Sequence, residues 1–598
     1  MNIITLDFET YYSREFSLTK LTTEEYVRSD SFQTIGVSVK ENDSEAKWFS
    51  GSHEEILGFL SNYEWGNSFA LAHNAMFDAA ILSWRFGIKP MAWFDTLSMA
   101  RATDGLEAGN SLAKLAVRYD LGRKGTEVIE ALGKRREDFS QHDLSSYGGY
   151  CNNDVELTYK LFHTLVPRFS KSELQLISLT IKMFSEPILK LDTPLLEQHL
   201  MQVQARKEKL LAQCIANKET LMSNPKLAEL LIKMGVEPPM KISPANGKET
   251  YAFAKNDEEF KALSEHPDER VQAVVAARLG TKSTLEETRT QRFISIAMRG
   301  DMPVPLRYYA AHTGRWGGDD KLNLQNLPRK SLLKDAIIAP KGYVLIDADS
   351  SQIEARIVAW LSGQQDLVNA FDRKEDVYKI MASAIYNKNE EEIDSSERFV
   401  GKTTILGAGY GMGHNKFCIQ LKTFGVEIAD EEAARIISVY RNTYPHIPKL
   451  WKEANSALDA LRQKKVTTVG HQPQALSVTK DGFLLPSGLY LNYKDLQEEE
   501  DGYTYASRRG RIKIYGGKVV ENICQALARC VIGEQMLRIS KRYKVALTVH
   551  DAVMAVVKEE EKDEALAYIE ECMKWRPDWA ETLPLSCEIG VGKSYGEC

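Results

Sequence analysis

The 598-residue sequence holds no unbroken apolar run near the ~18 residues that a bilayer span requires, so no segment reads as a membrane helix. Its start, Met1-Asn2-Ile3-Ile4-Thr5-Leu6-Asp7, lacks a basic leader and a small-residue cleavage site. It reads as a strand that begins at once, and a cytoplasmic location is expected. The 8 cysteines are scattered without a Cys-x-x-Cys pair, so neither a zinc site nor a disulfide framework is signalled. Internal repeats and low-complexity tracts are missing as well. So is any excess of positive charge, the net charge being −7. That does not exclude nucleic acid, because a polyanion responds to the local cleft and not to the sum over the surface. Carboxylates that hold metal ions also pull the total negative.

What is present is ordinary soluble composition, 43% hydrophobic and 27% charged. The length is too great for one core and predicts about three to five domain-sized units. Residues 1 to 165 alternate short apolar runs (Asn2 to Phe8, Thr34 to Val39, Phe69 to His73) with helix-like stretches, the pattern of an α/β layer. Residues 166 to 297 are rich in Leu, Glu, Lys and Gln at helical spacing, interrupted by the polar, proline-containing stretch 237–247. They read as a helical arm with an irregular tip. Strand-like runs return at Gly342 to Asp347, Gly488 to Asn492 and Val545 to Val557, with helical tracts around 390–465.

Two sets of residues carry chemistry. The first strand ends in Asp7-Phe8-Glu9, whose period of two puts both carboxylates on one face, able to share a hard divalent cation. Alone this is weak, since Asp-x-Glu recurs at Asp43, Asp154, Asp257 and Asp430. Asn74-Ala75-Met76-Phe77-Asp78 after an apolar run and Tyr150-Cys151-Asn152-Asn153-Asp154 in a helical context strengthen it. Tyr150 and Asp154 stand at i and i+4, on one helix face.

In the second set, Val344-Leu345-Ile346-Asp347-Ala348-Asp349 reads as a buried strand, followed by an amphipathic helix that begins near Glu354. Arg398, Lys402, Leu406 and Tyr410 are spaced by four and share one broad helical face. Its two cations can neutralise a triphosphate, and its ring can lie near a base or the template. His550-Asp551, between two strand-like runs, is expected at the tip of a tight hairpin. His142-Asp143 has polar flanks and reads as a surface loop or helix start.

Together these segments resemble, in their order, an A-family DNA polymerase joined to a DEDDy 3′–5′ proofreading exonuclease, in the compact layout of bacteriophage replicases. Thr313-Gly314-Arg315, Asn323 to Pro328 and Asn522 to Ala526 resemble that family's DNA-contact segments. The resemblance implies an α/β and α+β multidomain chain. A ribonuclease H-like exonuclease domain (1–165) is followed by a right-hand polymerase with a helical thumb (166–297), palm (298–363 and 466–598) and fingers (364–465).

It further implies metal binding by Asp7, Glu9, Asp78 and Asp154, with Tyr150 positioning the attacking water. Asp349 and Asp551 become the catalytic metal carboxylates of the polymerase, and Glu354 the residue that crowds a ribose 2′-hydroxyl. Arg398, Lys402, Leu406, Tyr410 and Tyr378 are expected at the dNTP, His550 at the primer terminus, and Arg315, Asn326 and Gln525 on DNA. The implied cofactor is Mg²⁺, two ions per site, with Mn²⁺ as an alternative. The implied partners are primer-template DNA, dNTPs and single-stranded 3′ ends, with a processivity factor, helicase or primase as further candidates and no membrane. Three positions depart from the family pattern: Leu406 stands where Phe or Tyr is common, Tyr378 where many relatives have His, and Ala552 where many have Glu. No separate 5′-nuclease is expected ahead of Asp7. The rival readings are a nuclease whose second half only binds DNA, a DNA-binding remnant without chemistry, and an RNA polymerase of related architecture.

Overall fold

The computed structural model describes residues 2–125, 131–212, 217–243, 248–254, 257–282, 285–328, 330–507 and 510–598. The amino-terminal part is built on a five-stranded sheet in the order Lys47–Phe49, Thr34–Glu41, Asn2–Thr10, Ser68–Ala72, Ala92–Asp95. The first three strands pair antiparallel, and the last two continue the sheet in parallel. The central strand explains the placement of its acids. Ile3 to Leu6 are buried on both faces; from Asp7 the burial alternates, so Asp7 and Glu9 emerge together on one face while Phe8 stays in the core.

The long helix Gln141–Leu165 crosses this sheet with Leu144, Tyr147, Cys151, Val155, Leu161 and Phe162 buried. Ser140 caps it through a reciprocal capping box with Asp143, so His142-Asp143 is a helix start. Helix Lys171–Ser185 follows and packs on helix Ala75–Trp84 and on the edge strand Ala92–Asp95. Trp84 Nε1 donates to the Ser185 carbonyl at 2.9 Å and the Trp93 amide to Ser178 Oγ at 3.0 Å. Packing thus joins the stretch just after residue 165 to the first sheet.

The arm pairs helix Thr193–Ala212 with Leu285–Arg299. Beyond them a separate small core gathers Leu227, Leu231, Phe253, Phe260, Val271 and Val275. The stretch expected as an irregular tip carries a short hairpin, Met240–Ile242 with Glu249–Tyr251. Residues 244–247 of it lie outside the described residues.

A four-stranded antiparallel sheet, in the order Lys544–Val549, Ala552–Lys558, Tyr343–Ser350, Cys587–Gly592, forms the floor of the second half. The long helix Gly516–Ile539 packs on this sheet and on helix His446–Arg462, and so links the sheet to the helices from Gln365 to Arg462. Polar strands Gln497–Glu499, Gly502–Ser507 and Gly510–Ile514 form a separate three-stranded sheet. The second half is tied to the first by a buried ion pair between Arg529 and Glu173, to which Tyr308 also donates. Arg529 Nε donates to the Gly314 carbonyl at 3.1 Å. Among the described residues no helix is long and apolar enough to cross a membrane.

Candidate functional site

The acids expected in the first half converge. Asp78, from the first turn of its helix, accepts the Phe8 amide at 3.1 Å, which sets it beside the strand that carries Asp7 and Glu9. Asp154 reaches the same place from the long helix, where Lys124 Nζ pairs with it at 2.5 Å. Tyr150 lies one turn back, its ring 5.1 Å from the Lys124 ammonium. A cavity of about 740 Å³ opens over Asp7, Lys124 and Asp154.

Three further residues belong to this cluster. Tyr147 donates to Glu9 Oε2 at 2.7 Å. Cys151 Sγ lies 3.3 Å from the Asp7 carbonyl and 3.4 Å from Asp7 Oδ2. Burial and the neighbouring acids push the Cys151 thiol up, so it stays protonated and donates to Asp7. Tyr147, Tyr150, Cys151 and Asp154 recur every three or four residues, so helical periodicity counted back from Asp154 would have found Tyr147 and Cys151. Lys124 comes from an irregular segment, and no pattern announces it.

The electrostatics are those of a site short of positive charge. Burial, then the charge of Asp154, pushes Asp7 up to about 7. Burial, then Asp7, pushes Glu9 up to about 8. Asp78 is raised by burial and by Asp7, and Asp154 by burial against the opposing pull of Lys124. Asp154 Oδ1 is buried without a hydrogen-bond partner. Clustered carboxylate oxygens, one of them orphaned, form the donor set of a hard divalent cation. The residues fit such an ion.

The second site lies where the four-stranded sheet meets the helices. Asp349 pairs across the ladder with Ala552, and Asp551 occupies the two-residue turn between Val549 and Ala552. The Ser350 amide donates to the Asp551 carbonyl at 3.0 Å, which ties the two loops together. His550 (φ 53°) and Gln352 (φ 51°), beside these acids, both adopt left-handed backbone, a cost that surrounding contacts must offset. Gln325 supplies part of that offset: its Nε2 donates to the Thr548 carbonyl at 2.6 Å and its Oε1 accepts the His550 amide at 3.0 Å. Its buttressing role is not evident in the sequence.

A cavity of about 430 Å³ gathers Asp349, Asp551, Glu354, Tyr378, Lys402, Leu406 and Tyr410. Arg315 Nη2 pairs with Glu354 and stands 3.4 Å from Asp551 Oδ1. Tyr410 hydroxyl lies 3.4 Å from Glu354 Oε2. Burial pushes Asp551 up to about 6 despite the Arg315 guanidinium. Gly314 presents Arg315 from a left-handed backbone (φ 81°) and leaves room for the Tyr309 ring, which any Cβ would meet at 2.9 Å.

Helices Val377–Tyr386 and Ser395–Ala408 approach so closely at Gly401 that a Cβ there would collide with the Tyr378 carbonyl. The Tyr378 ring consequently sits 5.3 Å from the Arg398 guanidinium and 5.8 Å from the Lys402 ammonium. Arg398 does not line the cavity; its Nε donates to Asp376 at 2.6 Å. His550 and Asn326 are exposed, the latter with its carbonyl accepting from Arg289 at 3.3 Å. Gln525 Nε2 lies 3.4 Å from Glu521 Oε1 on the long helix. These three residues lie outside the cavity lining.

Known proteins resemble the chain along its length. The family model for DNA polymerase family A matches residues 193–597, and that for a 3′-5′ exonuclease matches residues 65–169. The DNA polymerase of Bacillus phage SP02 is 24% identical over 100% of both chains. The DNA polymerase I of Pseudomonas aeruginosa is 26% identical over 84% of this chain, which spans 54% of that protein. A solved structure of the POL domain of Pol1 from M. smegmatis, in complex with DNA primer-template and dNTP, superposes with a TM-score of 0.69 at 19% identity, covering 100% of this chain and 96% of that one.

Proposed function

The chain belongs to DNA polymerase family A, with a 3′-5′ exonuclease domain before its polymerase domain, and on that premise we propose that it extends DNA primers on a template and trims mispaired 3′ ends at a second site. The observation that carries this reading is the presence of two separate carboxylate clusters, one with Asp7 and Asp154 on its own cavity and the other with Asp349 and Asp551 on another; Asp78 and Asp154 fall within the exonuclease match, and Asp349 and Asp551 within the polymerase match.

At the polymerase site Asp349 and Asp551 would hold Mg²⁺, and at the exonuclease site Asp7, Glu9, Asp78 and Asp154 would do so, with Mn²⁺ as an alternative at both. Bound there, paired divalent ions would neutralise charge on the reacting phosphate and raise the acidity of the attacking oxygen. The chain's own groups do the rest. Lys402 faces the cavity and neutralises the triphosphate of a dNTP. Arg398 joins it by exchanging its bond to Asp376 for a phosphate oxygen. Tyr378, a phenol between these cations, donates a hydrogen bond to phosphate but adds no charge.

Glu354, fixed by Arg315 and Tyr410, crowds the sugar 2′ position and excludes ribonucleotides. Leu406, 41% exposed at the same cavity, offers only apolar contact near the sugar, so discrimination at the 3′-hydroxyl rests on other groups. Arg315, Asn326 and Gln525 contact the primer-template, and His550 meets the primer terminus. In the first site Tyr150, steadied by Lys124, orients the water that attacks the terminal phosphodiester. A cytoplasmic setting in phage or bacterial replication, with a processivity factor, helicase or primase alongside, suits this chemistry.

The test is a 5′-labelled primer-template incubated with Mg²⁺, with and without dNTPs. Extension with dNTPs and shortening without them are expected. Shortening without any extension would refute the polymerase reading and leave a nuclease.

A further inference from the structure

A second cavity, of about 370 Å³, continues from the one over Asp7. The two share Arg101, Leu106 and Glu107. Its far wall comes from the second half of the chain: His312, three residues from Arg315, and Tyr490, Lys494, Tyr505 and Ile512 around the small polar sheet. The rings form one aromatic group, His312 lying 6.4 Å from Tyr505 and Tyr505 lying 5.1 Å from the buried Tyr493. His312 is exposed and Tyr490 and Tyr505 are half-buried, so ring faces remain open to a ligand.

Neither Arg101 nor Lys494 makes a side-chain hydrogen bond or ion pair with a described residue. Burial lowers both cations, against a partial pull from nearby acids. Of the acids near Arg101, Asp95 accepts the Leu97 and Ser98 amides and Asp319 pairs with Arg307; of those near Lys494, Asp104 is engaged by Arg118 and Tyr119, and Glu107 is exposed at the rim. Open aromatic faces interleaved with unpaired cations are the pattern that holds single-stranded nucleic acid, bases on rings and phosphates on cations.

We propose that this groove binds the unpaired 3′ strand of DNA on its way to the Asp7 site, with Tyr505 and His312 stacking bases and Arg101 and Lys494 holding phosphates. The proposal rests on the reading of the Asp7 site as an exonuclease. It assigns to the polar sheet Gln497–Ile514 the task of completing, from the polymerase half, a channel that the exonuclease half opens.

The test compares wild type with Tyr505→Ala and Lys494→Ala on two substrates. One is a primer-template with three mispaired 3′ nucleotides; the other is a dinucleotide short enough for the cavity over Asp7 alone. Trimming of the mispaired primer is expected to fall about tenfold in each variant, with dinucleotide cleavage unchanged. Equal loss on both substrates, or no loss on either, overturns the groove. A second measurement does not depend on cleavage: 5-iododeoxyuridine in the unpaired 3′ segment is irradiated in chelator and its crosslinks mapped. Crosslinks to the segments bearing Tyr490, Tyr505 or His312 support the groove, and crosslinks confined to other segments overturn it. A wild type that crosslinks there yet cleaves neither substrate would sink the exonuclease reading and not the groove.

Discussion

At the Asp7 site the Lys124 ammonium pairs with one acid, Asp154, whereas at the Asp349 site the Arg315 guanidinium pairs with two, Glu354 and Asp551. Burial is the first cause of the raised acids at both: it pushes Asp7 and Glu9 up to about 7 and 8 and Asp551 up to about 6, with neighbouring carboxylates adding to it. Mutual repulsion among Asp7, Glu9 and Asp154 adds to burial at the first cluster, and an added cation would relieve it. At the Asp349 site Arg315 bridges Glu354 and Asp551, so the protein ties those two acids together before any cation binds.

The comparison breaks most visibly at Arg315. Arg315→Met leaves Glu354 and Asp551 without their partner; primer extension should fall by about 10²-fold or more, with trimming unchanged. Parallel loss of both activities, read by rates on matched and mispaired primers, would show that Arg315 serves the whole molecule. Glu354→Ala should come next, raising ribonucleotide incorporation relative to dNTPs by about 10- to 100-fold, the discrimination expected of one fitted contact. An unchanged ratio in single-nucleotide insertion kinetics would remove Glu354 from the sugar.

Lys124→Met sharpens the other half. In chelator it should lower stability by about 1–3 kcal/mol, since Asp154 loses its partner. Mg²⁺ should then raise the melting temperature more in the variant than in wild type, because the added ion replaces the lost charge. Equal Mg²⁺ shifts in differential scanning calorimetry would contradict a compensating role for Lys124.

A further effect concerns pH. Burial lowers His73, at the wall of the same cavity, to about 4, so the folded protein binds its proton less readily than the unfolded chain. Stability should decline as pH falls from about 6.5 towards 4, by at most about 1.4 kcal/mol per unit from this group. His73→Gln should flatten that part of a urea-denaturation profile; an unaltered slope would clear His73.

What could be read in advance follows from what leaves a periodic trace. Asp7 and Glu9 announce themselves because strand alternation begins at Asp7, and the hairpin bearing Asp551 because apolar runs flank two polar residues. Tyr147 and Cys151 left a trace on the helix of Asp154 that requires counting in threes and fours. Lys124 and Gln325 left none, since each acts across a distance in sequence that only the folded chain closes. The sheet Gln497–Ile514 was equally silent: its first strand is wholly exposed and its last nearly so, and a sheet without a buried face has no alternation to display. The engagement of Arg398 by Asp376 likewise depends on two helices meeting at Gly401.

The most direct measurement is a crossed assay of Asp7→Ala and Asp349→Ala on one labelled primer-template with Mg²⁺. Two independent sites predict that Asp7→Ala loses trimming and keeps extension, and that Asp349→Ala loses extension and keeps trimming. Loss of both activities in either variant would contradict the separation on which the account stands.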